Sequence, residues 1–285
     1  MTGETRYAQL DGIRIAFEHH GGGFPLLLLH GHPRDRSLWR KCLPALAQRF
    51  SVVAMDRRGY GDSELGLDPS TFDNGTMTLD ALGLARHLGW SRFLVVGHDL
   101  SAQVARRLAQ DHPDEVAGAG IFDQAPEGTA MGDRRDPSGR QWYFDFFRQR
   151  GVAEAIMNDN PRLFFSLFLQ RNPHLSPEEH AYFVERFARP GAVESVLADY
   201  RARLEVDAPY WAEQARIGTR IRTPLLVLWG GRGGGGVSPM LDAWRQFAAD
   251  VRGGPIADAG HYLQEEQPEA VVSHIVAFGN ELGAC

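Results

Sequence analysis

One stretch constrains everything else in this chain: Phe93-Leu94-Val95-Val96-Gly97-His98-Asp99-Leu100-Ser101-Ala102-Gln103-Val104-Ala105. Residues 93–96 are apolar and rich in β-branched side chains, the make-up of a strand buried on both faces. Small residues at Gly97, Ser101 and Ala102 permit a tight turn, and an amphipathic helix follows to about Asp111. Strand, apex residue, helix is the layout of a nucleophile elbow, usually G-x-S-x-G, which presents the apex side chain at the end of a sheet. The apex here is Asp99. Aspartate is also a favoured helix N-cap, so Asp99 taken alone admits that plainer reading. Its partners elsewhere in the chain decide between the two.

Around the elbow the sequence alternates between strand and helix patterns. Residues 7–17 alternate about Asp11-Gly12, a hairpin signal. Strands are expected at 24–29, 51–55, 118–122, 224–229 and 251–257, and helices at 37–49, 76–88 and from Pro268 onward. Such alternation implies parallel strands joined by right-handed crossovers, an α/β fold. From about 127 to 207 it stops. Trp142-Tyr143-Phe144-Asp145-Phe146-Phe147 and Leu163-Phe164-Phe165-Ser166-Leu167-Phe168-Leu169 lie in helical patterns separated by prolines, an aromatic all-helical insertion. The expected division is a core of residues 1–126 and 208–285 carrying a helical cap of residues 127–207.

Composition narrows the function classes. With 285 residues and a net charge of -6, the chain can bury a full core and carries no basic footprint for nucleic acid or anionic lipid. No stretch approaches membrane-spanning length and residues 1–4 carry no apolar signal pattern. Cys42 and Cys285 are the two cysteines, which suggests neither a disulfide framework nor a metal cluster. A cytoplasmic protein with a small-molecule substrate and no cofactor, monomeric or homodimeric, is the expectation.

Four motifs follow in order: His30-Gly31-His32-Pro33, Asp56-Arg57-Arg58-Gly59-Tyr60-Gly61-Asp62-Ser63, Gly97-His98-Asp99 and Gly260-His261. With them the sequence resembles the α/β-hydrolase fold, a mostly parallel central sheet flanked by helices with a helical cap insertion. Within that fold it is similar to the branch with an aspartate nucleophile: epoxide hydrolases, haloalkane dehalogenases and fluoroacetate-type dehalogenases. The likeness covers nearly the whole chain. It implies that Asp99 attacks carbon, that His261 activates water and that an acid orients His261. The family places that acid either after the strand following the elbow or after the next core strand beyond the cap. The second place reads Gly230-Gly231-Arg232-Gly233-Gly234-Gly235-Gly236, without a carboxylate; the first ends on Asp123. Asp123 is therefore the candidate, with Asp258 as a competitor better read as a loop cap. The glycine run lacks the G-K-[ST] ending of a phosphate loop. His30, His32 and His98 share the sheet edge with no recognised metal-ligand spacing, and the resemblance assigns them to turns.

An aspartate nucleophile attacking sp³ carbon forms an ester that water can cleave, where serine would leave a stable ether. By analogy with the family, the backbone N–H groups of His32 and Leu100 form the oxyanion hole. The resemblance also points to Trp142 and Tyr200, with Gln141 beside them, as donors to a leaving halide or an opening epoxide oxygen. The alternative for these aromatics is ordinary cap packing. Gln103 and Tyr143 are expected in the substrate pocket. Fluoroacetate-type enzymes carry arginines after the nucleophile where this chain has Leu100 and Gln103, and a histidine where it has Gln141; haloalkane dehalogenases usually carry a tryptophan at the Leu100 position. Without an arginine fork a haloacid would leave its charge unpaired. The sequence therefore points to an epoxide hydrolase for a fairly large, largely uncharged epoxide, with a hydrolytic dehalogenase next and a non-catalytic binding protein on the same scaffold third.

Overall fold

The strand Phe93–His98 (β5) lies near the middle of an eight-stranded sheet, with every residue buried. The structure, a computed structural model, describes residues 3–132, 141–170, 172, 174–233 and 237–284. Its other strands are β1 (Arg6–Leu10), β2 (Ile13–His20), β3 (Phe24–Leu29), β4 (Phe50–Met55), β6 (Val116–Phe122), β7 (Leu225–Gly230) and β8 (Val251–Ile256). The order is β1-β2-β4-β3-β5-β6-β7-β8. β2 runs antiparallel to both its neighbours, and all pairs from β4 to β8 are parallel.

Alternation of side chains with period two explains how both faces are covered. Leu27, Leu29, Phe93 and Val95 meet the helices Asn74–His87 and Leu100–Asp111 on one side. Leu26, Leu28, Leu94 and Val96 meet Trp39, Leu43 and the helix Pro268–Glu281 on the other. From β3 the chain turns outward to β4, then returns to place β5 on the opposite side of β3. The loops leaving β3 and β5 therefore diverge, and a crevice opens between them at the carboxyl ends of the strands. Leu29 pairs with Gly97, so residues 30–32 emerge directly beside Asp99.

Between β6 and β7 the chain leaves the sheet for helices Trp142–Phe147, Val152–Asp159, Pro161–Leu169, Pro177–Phe187, Ala192–Ala202 and Ala208–Ile217. Pro161 and Pro177 begin helices and do not interrupt them: Asn160 and Ser176 cap the two N-termini, and proline at the first helical position loses no hydrogen bond. Phe147, Phe165, Phe168, Phe187 and Tyr200 form a separate core with Tyr60 and Leu100 from below. Residue 207 lies inside a continuous helical run, in a π-helical turn, Arg203–Asp207, that joins the last two helices.

The helix expected over 37–49 is instead a 3₁₀ turn, Arg36–Trp39, followed by a single α turn, Leu43–Leu46. Pro44 explains the break, because it cannot donate to Arg40 and its ring would collide with that carbonyl. Gly234–Gly236 of the glycine run and Pro173 of the insertion lie outside the described residues. Among the described residues no helix is long and apolar enough to cross a membrane.

Candidate active site

At the end of β5 the backbone of Asp99 takes φ +54° and ψ −122°, an unfavourable conformation that the turn must hold in place. Asp99 N–H donates to the Phe122 carbonyl (3.0 Å), and the Asp99 carbonyl accepts from Ala102 N–H (3.0 Å). Gly97 is required by contact: a Cβ there would stand 2.0 Å from the Ser101 carbonyl oxygen. Ser101 is more than a spacer, since its hydroxyl donates to the His30 carbonyl (2.6 Å) and ties the β3 loop to the elbow.

That tie sets His32 against the nucleophile candidate. His32 N–H donates to Asp99 Oδ1 (3.1 Å), and the Leu100 N–H lies beside the same carboxylate and favours its charge. The other oxygen, Oδ2, lies 3.6 Å from His261 Nε2. His261 Nδ1 is 2.5 Å from Asp123 Oδ2, while Asp123 Oδ1 accepts from Gly230 N–H (2.9 Å). The structure thus brings Asp99, His261 and Asp123 into one line, with the backbone donors of His32 and Leu100 at its end. Asp258 is exposed and stands apart from it.

The electrostatics separate the two acidic and basic partners. Burial works against the Asp99 carboxylate, but the imidazoles of His261 and His98, the Leu100 N–H and the Arg203 guanidinium outweigh it, and its pKa falls below the ordinary value. Burial also disfavours the His261 imidazolium. The bond to Asp123, the Asp123 charge and that of Asp99 reverse this, so the His261 pKa is raised. Asp99 is ionised at neutral pH, facing a histidine that titrates above its usual range.

His30 and His98 hold the surrounding backbone. His30 Nδ1 donates to the Gly31 carbonyl (2.9 Å) and Nε2 accepts from Arg57 N–H (3.1 Å). Burial, followed by the Arg57 charge, lowers its pKa to about 3, so the ring is neutral. His98 Nε2 donates to the His261 carbonyl (2.7 Å). Among the described residues no group of three His, Cys, Asp or Glu side chains is placed to hold a metal ion.

Above Asp99 lies a cavity of about 1110 Å³, at the roomy end for a small-molecule site. His32, Gln141, Trp142, Tyr143 and Tyr200 border it. Tyr200 is buried, its ring edge-on to Tyr143 at 5.6 Å and to His32 at 5.3 Å. Burial, then the Tyr143 hydroxyl and the Asp99 carboxylate, push the Tyr200 phenol well above its ordinary pKa, so it stays protonated. Trp142 is 47 % exposed and packs on Phe146 and Phe164 at the rim, with Gln141 exposed beside it. Adjacent helical residues point about 100° apart, and the phase of Trp142–Phe147 turns Tyr143 toward Tyr200. Tyr143 thus packs against Tyr200, while the more exposed Trp142 also borders the cavity. Gln103 does not border the cavity. Its amide donates to the Ala125 carbonyl (3.2 Å) and its oxygen faces Arg106 (3.4 Å), bracing the chain below the site from within.

Sequence reasoning passed over several residues here. Arg203 borders the cavity from the π-helical turn, with Nε donating to Glu127 Oε1 (2.6 Å). Nothing local in the sequence announces that turn, although such turns recur at functional sites. Asp199, next to Tyr200, accepts from Arg57 (2.9 Å) and the Tyr60 hydroxyl (2.7 Å), both of the Asp56–Ser63 motif. This buried network fixes the helix that carries Tyr200 to the loop after β4.

The family model for the alpha/beta hydrolase fold matches residues 25–268. A soluble epoxide hydrolase of Corynebacterium sp. (strain C12) is 32% identical over 281 residues, covering 95% of each chain. A fluoroacetate dehalogenase of Burkholderia sp. is 27% identical over 277 residues, covering 93% of this chain and 90% of that one. The solved structure of an epoxide hydrolase, CorEH without ligand, superposes with a TM-score of 0.87 at 30% identity, over 98% of this chain and 99% of that one.

Proposed function

Since this chain belongs to the α/β-hydrolase fold family and is a hydrolase of its epoxide hydrolase–dehalogenase branch, we propose that it opens epoxides to diols through an ester on Asp99. Asp99 Oδ2 attacks a ring carbon, and the carbon–oxygen bond of the epoxide breaks as the phenols of Tyr143 and Tyr200 donate to the departing oxygen, which takes up a proton. His261 Nε2 then removes a proton from water, and the hydroxide adds to the carboxyl carbon of Asp99. Negative charge develops on Oδ1, to which His32 N–H already donates, with the Leu100 N–H beside the same carboxylate. The bond from that carbon to Oδ2 breaks, and the product leaves with Oδ2 as its new hydroxyl, protonated by His261. The proton of the added hydroxide leaves Asp99 to solvent, restoring the carboxylate and replacing the solvent proton taken up by the epoxide oxygen. Asp123 holds the His261 imidazole in the tautomer this requires. In this reading residues 127–207 are the cap that brings the phenols, and the core brings the three catalytic side chains.

The pair of phenols, Tyr143 and Tyr200, sharing one cavity with an ionised Asp99 carries this reading. The charge of the walls favours an uncharged substrate. Asp99, Asp123, Glu127, Asp145 and Glu266 face the guanidinium groups of Arg203 and Arg232, a balance that repels a haloacid anion.

Tyr143→Phe and Tyr200→Phe should each slow ester formation by about 10²-fold, and the double variant by 10³-fold or more, in rapid-mixing experiments with styrene oxide and 1,2-epoxyhexane. Hydrolysis of the preformed ester should be unchanged. Trp142→Phe should leave both steps near the wild-type rate. A double tyrosine variant as fast as wild type would remove the phenols from the mechanism, and a larger loss from Trp142→Phe would return the donor role to the indole.

A further inference from the structure

The loop that carries His261 is held by a carboxylate on either side of the histidine. Glu266 Oε2 accepts from Gly260 N–H (2.9 Å) and Oε1 from Tyr262 N–H (3.1 Å). One side chain thus satisfies the two backbone donors that flank His261, while the His261 carbonyl is held by His98 Nε2 (2.7 Å). Glu266 is itself almost fully buried and anchored by the Arg232 guanidinium, and Arg232 N–H donates to the Ala259 carbonyl (2.9 Å). His174 Nδ1 approaches Glu266 Oε1 at 3.8 Å from the helical insertion. The approach is close: a Cβ at Gly260 would lie 3.1 Å from Glu266 Oε1 and 3.0 Å from Arg232 Nη2, so both side-chain ends would have to give by a few tenths of an ångström.

From this we infer that Glu266 is a positioning residue for ester hydrolysis, setting the backbone of His261 so that Nδ1 meets Asp123 while Nε2 faces the Asp99 carboxylate. The inference rests on the proposed role of His261 as the base. Only a carboxylate meets the requirement. Both groups to be held are N–H donors, and a glutamine would offer one acceptor oxygen and set its NH₂ against the second donor. The segment after β7 contributes no carboxylate to the triad and serves it indirectly, since its Arg232 fixes the carboxylate that fixes His261.

A purely structural role would slow both chemical steps together, whereas a positioning role falls on the second alone. Wild type, His261→Gln, Glu266→Gln and Glu266→Ala would be mixed with styrene oxide, 1,2-epoxyhexane or a trans-disubstituted epoxide and quenched for intact mass. Ester formation in the Glu266 variants should stay within about threefold of wild type. Hydrolysis should slow by about 10²-fold, as expected for misplacement of a catalytic group, with the smaller loss in Glu266→Gln. The ester should then accumulate as it does in His261→Gln. Adduct in His261→Gln but none in the Glu266 variants, or equal slowing of both steps in Glu266→Gln, would overturn the positioning role alone. No adduct in His261→Gln would overturn the ester reading beneath it.

Discussion

Asp99→Ala should abolish turnover, with a loss of four orders of magnitude or more in kcat and no ester detectable by mass. The side chain removed is the only atom donor to substrate carbon in the proposed reaction. The N–H groups of His32 and Leu100, which hold Asp99 in the resting structure, would then face water. The fold should survive. Alanine accepts the positive φ of residue 99 less readily than aspartate, at about 1 kcal/mol, but a charge is no longer buried beside it. A melting temperature within about 5 °C of wild type is expected for a domain of this size, measured by circular dichroism alongside activity. Retained activity in a folded Asp99→Ala protein would take Asp99 out of the mechanism.

Asp123→Asn should produce the opposite pattern, an enzyme that forms ester and then stalls. The Asp123 side chain accepts at both oxygens, from Gly230 N–H and from His261 Nδ1. An amide can keep the first contact only by turning its NH₂ toward the imidazole. That forces the proton onto Nε2, the atom that must take one from water. Ester hydrolysis should fall by about 10³- to 10⁴-fold, the scale of a wrong tautomer in a serine-protease triad, while ester formation changes little.

The pH dependence follows from the same contact. A protonated His261 cannot accept a proton, so hydrolysis is lost as pH falls through the His261 pKa. In the free enzyme that pKa is raised by the bond to Asp123 and by the Asp123 and Asp99 charges. Esterification removes the Asp99 charge, so the acidic limb of hydrolysis should lie below the His261 pKa of the free enzyme, upheld by Asp123 alone. Removal of the Asp123 charge should move the limb to lower pH in the residual activity of Asp123→Asn. Asp258→Asn, an exposed change, should leave rate and limb in place. A stall in Asp258→Asn without one in Asp123→Asn would reassign the acid.

Of the proposed catalytic line, Asp99 and Asp123 were legible because each directly follows a buried strand, β5 or β6, which reads clearly as a short apolar run. His261 comes five residues after β8, a half-exposed strand of sequence VRGGPI, and was legible from its Gly260-His261 motif instead. That these ends meet at one crevice depends on the crossing of β3 and β5, which local patterning does not contain. The cap was legible as helical and aromatic but not in phase. Trp142 and Tyr143 are neighbours in the chain, and only the seating of their helix, through Tyr143 and Phe147, on Tyr200 decides which ring packs inward. Arg203 depends on a π-helical turn without a composition signal. Gln103 misled for a related reason: four residues past the apex, it lies one turn down the helix, where the Ala125 carbonyl needs a donor.

A covalent ester on Asp99 formed from an epoxide would be seen most directly by intact mass of His261→Gln after incubation with epoxides and halogenated compounds. The expected result is a stable adduct equal to the whole mass of an epoxide, because the opened oxygen stays with the product, located to Asp99 by peptide mapping. An adduct equal to substrate minus hydrogen halide, with none from any epoxide, would contradict it and make the protein a dehalogenase. No adduct from either set would contradict the ester itself.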